Sequence, residues 1–157
     1  MKKGILIGCG GIIALFFILL TIGGIWLLSG PEGRVRLPNE MEKYATIYLE
    51  ENKILDDSEE LLAYYDSTVS LDSSEAAILT TKRVIYHNNG NNTSIDYSNI
   101  EEISHKEDPL IGDIIEIAPT SGPMMKIEIA LWNQGETFLK VLNDAWAKSK
   151  EIGDKQN

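Results

Sequence analysis

Hydrophobic and polar residues alternate in short runs between residues 61 and 131, which predicts a series of antiparallel strands. The clearest alternation places Met125, Ile127, Ile129 and Leu131 on one face of a strand and more polar residues on the other. Such alternation is typical of a sheet with one face buried and the other in solvent.

The stretch 76–100 predicts three of these strands. Two lie at 76–80 and 83–87, and the third contains Ile95 and Tyr97 on one face. Between the second and third, residues 88–92 are Asn and Gly, which tolerate the positive φ of a tight turn.

Further strands are predicted at 61–65 and 114–118, and residues 100–108 read as either a strand or a turn. The polar, acidic turn region 67–75 is expected to contain a short strand piece around Val69 and Leu71. The total is about seven strands.

Two amphipathic helices flank the strands. The first is predicted over Glu40–Lys53, with Asn39 as N-cap and Glu42 completing a capping box. Its apolar stripe either lines a groove for a partner or, as we expect, docks on the core of its own domain.

The second helix follows the last strand, with Asn133 as N-cap and Glu136 three residues on. Its apolar face consists of Phe138, Leu139, Leu142, Ala145 and Trp146. Strands followed by one such helix indicate a small barrel or sandwich that the helix closes.

The N-terminal residues 4–29 contain no charge, and as a helix they would span about 39 Å, enough to cross a bilayer. We therefore predict a transmembrane helix at 4–29. Three alternatives remain: a cleaved signal peptide, a lipoprotein signal at Cys9, and a buried core helix. Residues 30–55 would be a linker with the amphipathic helix, 56–150 the domain, and 151–157 a polar tail.

The flanking charges of this segment are nearly balanced. Lys2 and Lys3 precede it, and Arg34, Arg36 and Lys43 follow it. A short basic N-terminus before a long apolar run is usually retained inside, so we expect a single-pass protein of the cell membrane with its domain outside. The Gly4/Gly8 pair permits close helix approach and hence a homo-oligomer, although glycine is common in membrane helices anyway.

Charge limits the classes of partner. Residues 31–157 carry 24 acidic and 12 basic residues, which opposes binding to nucleic acid or to an anionic lipid surface. Cys9 is the only cysteine, so the chain has no internal disulfide.

No catalytic, cofactor-binding or metal-binding motif is present. His87 and His105 are interpreted as surface or turn residues. The acidic run of Asp56, Asp57, Glu59 and Glu60 is interpreted as a solvated face rather than a pair of catalytic carboxylates.

Lys82 and Arg83 are the candidate ligand contacts. Lys82 is expected to be solvated. Arg83 either contacts an anionic ligand or pairs with Asp96 or a turn carbonyl, and we favour the pairing.

Several segments resemble the bacterial pleckstrin-homology-like (PH/GRAM-like) domains. They are ELLA at 60–63, LTTKRVIY at 79–86, IDYSNIEEI at 95–103, and GETF at 135–138 before Leu142 and Trp146. The resemblance implies an α+β, mainly β fold: a PH-like barrel of two antiparallel sheets capped by a C-terminal helix, without catalytic residues.

Eukaryotic relatives bind phosphoinositides through basic residues in the first hairpin. Here residues 67–75 have two acids and no base, so phosphoinositide binding is not expected. The sequence thus favours a non-enzymatic, membrane-anchored module that binds a protein or peptide. Related folds accept an extended peptide along an open sheet edge. The alternatives are a module that contacts lipid headgroups through Arg34, Arg36, Lys82 and Arg83, and an uncharacterised hydrolase.

Overall fold

The computed structural model describes residues 33–154, so the predicted transmembrane helix 4–29 lies outside the described residues. Among residues 33–154 no helix has the length and hydropathy needed to cross a membrane. The predicted polar tail is partly helical, because the last helix continues to Asp154.

Two antiparallel sheets make up most of this unit, which confirms the mainly β class and its closing helix. The first sheet has the order β1-β2-β3-β4 and the second the order β5-β6-β7. The strands are β1 (Leu61–Asp66), β2 (Glu75–Thr80), β3 (Arg83–Asn88), β4 (Asn91–Asp96), β5 (Ile100–Asp108), β6 (Gly112–Pro119) and β7 (Met125–Ala130).

The main core lies between the sheets and helix α2 (Gly135–Asp154). Phe138 and Leu142 of this helix are fully buried against inward-facing residues such as Ile115 and Ile127. Each such side chain contributes roughly 1.5–3 kcal/mol through removal of apolar surface from water. The predicted apolar face of the last helix is therefore confirmed.

A second cluster joins helix α1 (Lys43–Glu51) to the first sheet. Ala45 and Leu49 pack with Tyr64, Ile78 and Ile85. The expectation that this helix docks on its own domain is confirmed.

The start of α1 differs from the prediction. Asn39 lies in a 3₁₀ turn, Pro38–Glu40, and Met41 is extended with ψ 133°. The helix therefore begins only at Lys43, with Glu42 as its N-cap residue.

The first loop contains no strand, contrary to expectation. Val69 is fully exposed and Leu71 has a φ of 50°, which is incompatible with a strand. The Asp66 carboxylate organises this loop instead, because it accepts hydrogen bonds from the backbone N–H groups of Thr68 and Ser73.

Two further boundaries also differ. Tyr97 starts a 3₁₀ turn, Tyr97–Asn99, and its hydroxyl donates to the Thr80 carbonyl at 2.8 Å. At the other boundary β7 ends at Ala130, which leaves Leu131 partly exposed. Asn133 is not the cap of α2; its Nδ2 lies 3.5 Å from the Tyr65 hydroxyl, and the helix begins at Gly135.

Candidate functional site

The turn between β2 and β3 carries the two candidate ligand contacts, Lys82 and Arg83. The Thr80 hydroxyl oxygen accepts hydrogen bonds from the backbone N–H groups of both, each at 3.1 Å. These bonds fix the turn and bring both side chains to one end of the first sheet.

Arg83 is tied to the protein itself. Its Nε and Nη2 donate to the two carboxylate oxygens of Glu59 at 2.8 and 3.0 Å, and Asp56 lies 3.3 Å from Nη2. The predicted partner Asp96 faces Arg83 in the strand register but does not receive its hydrogen bonds. The two carboxylate oxygens of Glu59 match the parallel N–H donors at Nε and Nη2, and such a bidentate pair is stronger than a single hydrogen bond.

Glu59 is buried, so the prediction that it belongs to a solvated acidic face was wrong. Its side chain is 1% exposed. Burial alone would raise its pKa, but the hydrogen bonds from Arg83 outweigh burial and hold the pKa of Glu59 below its usual value. The pair is structural and occupies the Nε–Nη2 edge of the Arg83 guanidinium.

Lys82 is exposed, as expected, and its Nζ donates to the Ser58 hydroxyl at 2.6 Å. It lines a shallow groove of about 730 Å³ beside helix α2. Lys148 lines the same groove, but so do Asp96 and Asp144. Because the charges balance, the groove has no excess of cations to attract a phosphate group.

His87 is buried, so its assignment to the surface was wrong. It is 1% exposed in β3, with Nδ1 2.6 Å from Asn92 Oδ1 and Nε2 2.9 Å from the Tyr48 hydroxyl. His105 lies on β5 with Nε2 2.7 Å from Asp113 Oδ1. Nowhere in residues 33–154 do three His, Cys, Asp or Glu side chains come close enough to hold a metal ion.

The outer edge of β5 is the most extensive open feature of the sheets. β5 is nine residues long, and within the described chain it pairs with β6 alone. From Glu102 to Asp108 the register with β6 is continuous, so this stretch is regular. A regular edge presents a row of backbone N–H and C=O groups that another extended chain can pair with.

Charge distinguishes this edge. β5 carries one lysine, Lys106, and four acidic residues, which are Glu101, Glu102, Glu107 and Asp108. In a parallel, in-register pair, two copies of β5 would place like charges opposite each other, which disfavours that form of self-pairing. The same charges favour a basic strand.

The other sheet edges present fewer open backbone groups or fewer charges. β1 is partly covered, because Arg36 and Tyr64 exchange backbone hydrogen bonds at 2.7 and 2.9 Å. At the end of β7 the Ala130 N–H donates to the Tyr65 hydroxyl at 3.0 Å. β4 is open in the described chain but has six residues, of which Asp96 alone is charged.

Comparison with known proteins agrees with this architecture. A family model described as "Bacterial PH domain" matches residues 55–144, more than half of the chain. The chain belongs to the bacterial PH domain family. A search of curated proteins found no match.

Among solved structures, this bacterial PH domain is similar to a crystal structure at 2.00 Å resolution from Shewanella loihica PV-4. That structure is a DUF1696 family protein with a pleckstrin-homology domain. The two chains are 13% identical, with a TM-score of 0.52 over 73% of this chain and 99% of the other. At this identity the similarity concerns the fold.

Sequence reasoning missed two features of this bacterial PH domain: the carboxylate that holds Arg83, and which edge is open. Glu59 precedes Arg83 by 24 residues, and nothing in their spacing signals the contact. The sequence predicted only a strand or a turn at 100–108, and the absence of a second neighbour for β5 within the described chain depends on the sheet order.

Proposed function

We propose that this protein is a non-enzymatic, membrane-anchored PH-like module that binds an extended, basic segment of another protein along the edge of β5. The proposal rests chiefly on one observation, the acidic edge strand Ile100–Asp108, whose register with β6 is regular from Glu102 to Asp108. Addition of a strand to such an edge obtains affinity from backbone hydrogen bonds and specificity from side chains.

Charge complementarity supports a basic partner. Opposite charges across a strand pair contribute roughly 0.2–1 kcal/mol each. The acidic surplus of residues 31–157 adds long-range attraction for a basic segment. The exposed side chains of Glu102 and Glu107, on opposite faces of β5, would each meet a lysine or arginine.

Hydrogen exchange tests this binding mode. We would add a nine-residue peptide of alternating Lys and Val to the full chain in phosphatidylcholine nanodiscs, with the Glu–Val peptide as control. We expect slower exchange of amides in 100–108 with the Lys–Val peptide alone. No change there, or protection of β4 instead, would refute the β5 assignment.

Membrane anchoring needs a separate test. The basis for it is the charge-free stretch 4–29, long enough to span a bilayer. We expect the full chain to remain in vesicles after carbonate extraction, whereas a Leu15→Arg, Leu19→Arg variant is released. Release of the wild-type chain would remove the anchor from the proposal. Protease accessibility of the C-terminus in intact cells then tests whether the domain lies outside, as we propose.

A further inference from the structure

Exposed hydrophobic side chains concentrate at one end of the domain. Of the large ones in residues 33–154, five lie in three loops. They are Val69 in the β1–β2 loop, Leu110 and Ile111 in the β5–β6 tip, and Leu131 and Trp132 in the β7–α2 loop. Val69, Leu110 and Trp132 are 103%, 89% and 94% exposed, so nothing in this part of the chain covers them.

Two of these loops flank Gly33, the first described residue. A Cβ atom at Gly33 would lie 3.5 Å from Leu71 of the β1–β2 loop and 3.6 Å from Asn133 of the β7–α2 loop. Val35 also donates its backbone N–H to the Asn133 carbonyl at 2.9 Å.

The β5–β6 tip belongs to the same end. Gly112, at the foot of this tip, pairs with Ala130 at the end of β7. The apolar loop end, defined as these three loops, is therefore continuous.

Connectivity restricts where this end can be. Gly33 follows Ser29, the last residue of the proposed membrane span, by four residues. Four residues reach at most about 14 Å when fully extended. The chain thus enters the domain at the apolar loop end, a short reach from the proposed membrane span.

We propose that the apolar loop end inserts its side chains into the headgroup–acyl boundary of the membrane that holds the anchor. This inference rests on the proposed anchoring and adds a fixed orientation of the domain on the bilayer. Tryptophan favours this boundary because its ring is apolar while its N–H can still reach water.

Backbone N–H groups at the β5–β6 tip already have hydrogen-bond acceptors within the protein. Asp108 Oδ1 accepts hydrogen bonds from the N–H groups of Leu110 and Ile111 at 2.9 and 3.2 Å. Two donors that would otherwise lose water on insertion are therefore already satisfied. Because Asp108 and Asp72 add negative charge at this end, insertion relies on apolar surface and not on anionic lipid.

Contact of Lys82 and Arg83 with lipid headgroups is not compatible with this orientation. Lys82 and Arg83 lie at the other end of β2 and β3 from the β1–β2 loop, roughly 20 Å away for a six-residue strand. Since Arg83 is also bound to Glu59, neither side chain faces the bilayer in this arrangement.

Depth measurements with spin labels test the proposal. In a Cys9→Ala background, cysteines replace Leu110, Trp132 or Met124 one at a time, and the full chain is placed in phosphatidylcholine nanodiscs. Met124 is the matched control, because it is 56% exposed in the β6–β7 turn at the opposite end of the second sheet. All three positions are exposed, so folding should be retained.

We expect labels at 110 and 132 to lose accessibility to a water-soluble relaxation agent and gain accessibility to oxygen in the lipid, whereas the label at 124 stays aqueous. Equal aqueous accessibility at all three positions would overturn the inference. Shielding at 110 and 132 from both agents would overturn it too, because a protein surface would then cover them. Carbonate extraction of the same variants from phosphatidylcholine vesicles separates the failures. An integrated chain with aqueous labels refutes only this inference, whereas a released chain refutes the anchoring as well.

Discussion

The guanidinium of Arg83 binds both carboxylate oxygens of Glu59, with Nε 2.8 Å from Oε1 and Nη2 3.0 Å from Oε2. The contact joins the start of β3 to the segment before β1, and Thr80 Oγ1 lies 3.4 Å from the same Oε1. Arg83 is thus a structural clamp, because it ties β3 to this segment through Glu59.

Removing one partner of this pair should destabilise the fold strongly. Arg83→Met leaves a buried carboxylate without its counter-ion, and we expect a loss of about 2–3 kcal/mol, less than for a fully buried pair because Arg83 is 23% exposed. Lys82→Met is the control, with a loss of at most about 0.5 kcal/mol. Denaturant unfolding measures both, and equal effects would contradict the clamp.

The double variant Glu59→Met, Arg83→Met provides a sharper check. With both charges gone, no unpaired group stays buried, so most of the stability lost in Arg83→Met should return. A double variant as unstable as the single one would show that packing, rather than the ion pair, holds this segment.

Acid should weaken the same contact. The pKa of Glu59 lies below its ordinary value of 4.5 in the folded chain, so its stabilisation is present above that pH and is lost as the pH falls through the folded pKa. We expect the free energy of unfolding to fall more steeply below about pH 4.5 in the wild type than in Glu59→Gln. If the free energy of unfolding fell equally with pH in the wild type and in Glu59→Gln, the pH dependence would not come from Glu59.

The attachment of α1 should depend on one hydroxyl group. Asn92 Oδ1 can only accept, so His87 donates from Nδ1 and accepts from the Tyr48 hydroxyl at Nε2. Tyr48→Phe leaves this buried nitrogen unsatisfied, at a cost of about 1–3 kcal/mol. Hydrogen exchange of 43–51 should accelerate, whereas Ile47→Ala, at a position 40% exposed, should have little effect. Unchanged exchange in Tyr48→Phe would refute the role of the hydroxyl.

Two glycines with positive φ should respond differently to alanine. At Gly112, with φ 112°, a Cβ would meet the Ile129 carbonyl and lie 2.6 Å from the Leu131 nitrogen. At Gly90, with φ 82°, the space is open. We expect Gly90→Ala to cost about 1–2 kcal/mol from backbone strain and Gly112→Ala about 1–3 kcal/mol more from the clash. Similar unfolding midpoints would show that the β5–β6 tip adapts.

Patterns that repeat locally in the sequence predicted most of the fold. The alternation from Met125 to Ile129 and the Asn-Gly turn follow from strand geometry and positive φ, so their positions are visible without tertiary structure. The apolar face of α2 follows from helical periodicity in the same way.

The incorrect predictions share a different cause, which is contact with particular partner residues elsewhere in the chain. Leu71 is hydrophobic and was assigned to a strand, but hydrogen bonds to Asp66 organise its loop. The buried state of Glu59 and His87 depends on partners 24 and 39 residues away, which local pattern cannot reveal. The open edge of β5 likewise depends on which strands become neighbours.

The most direct test of the proposed function is a charge exchange on β5. For the full chain in nanodiscs, we would measure the affinity of the Lys–Val peptide in wild type and in a Glu102→Lys, Glu107→Lys variant. The control is Glu50→Lys, Glu51→Lys on α1, which changes the net charge equally at exposed positions. Cross-strand pairs contribute roughly 0.2–1 kcal/mol each, so turning two attractions into repulsions costs about 0.8–4 kcal/mol and should weaken binding about fourfold or more. We predict this loss, with a gain for the Glu–Val peptide, in the β5 variant alone; equal loss in both variants would contradict recognition at β5.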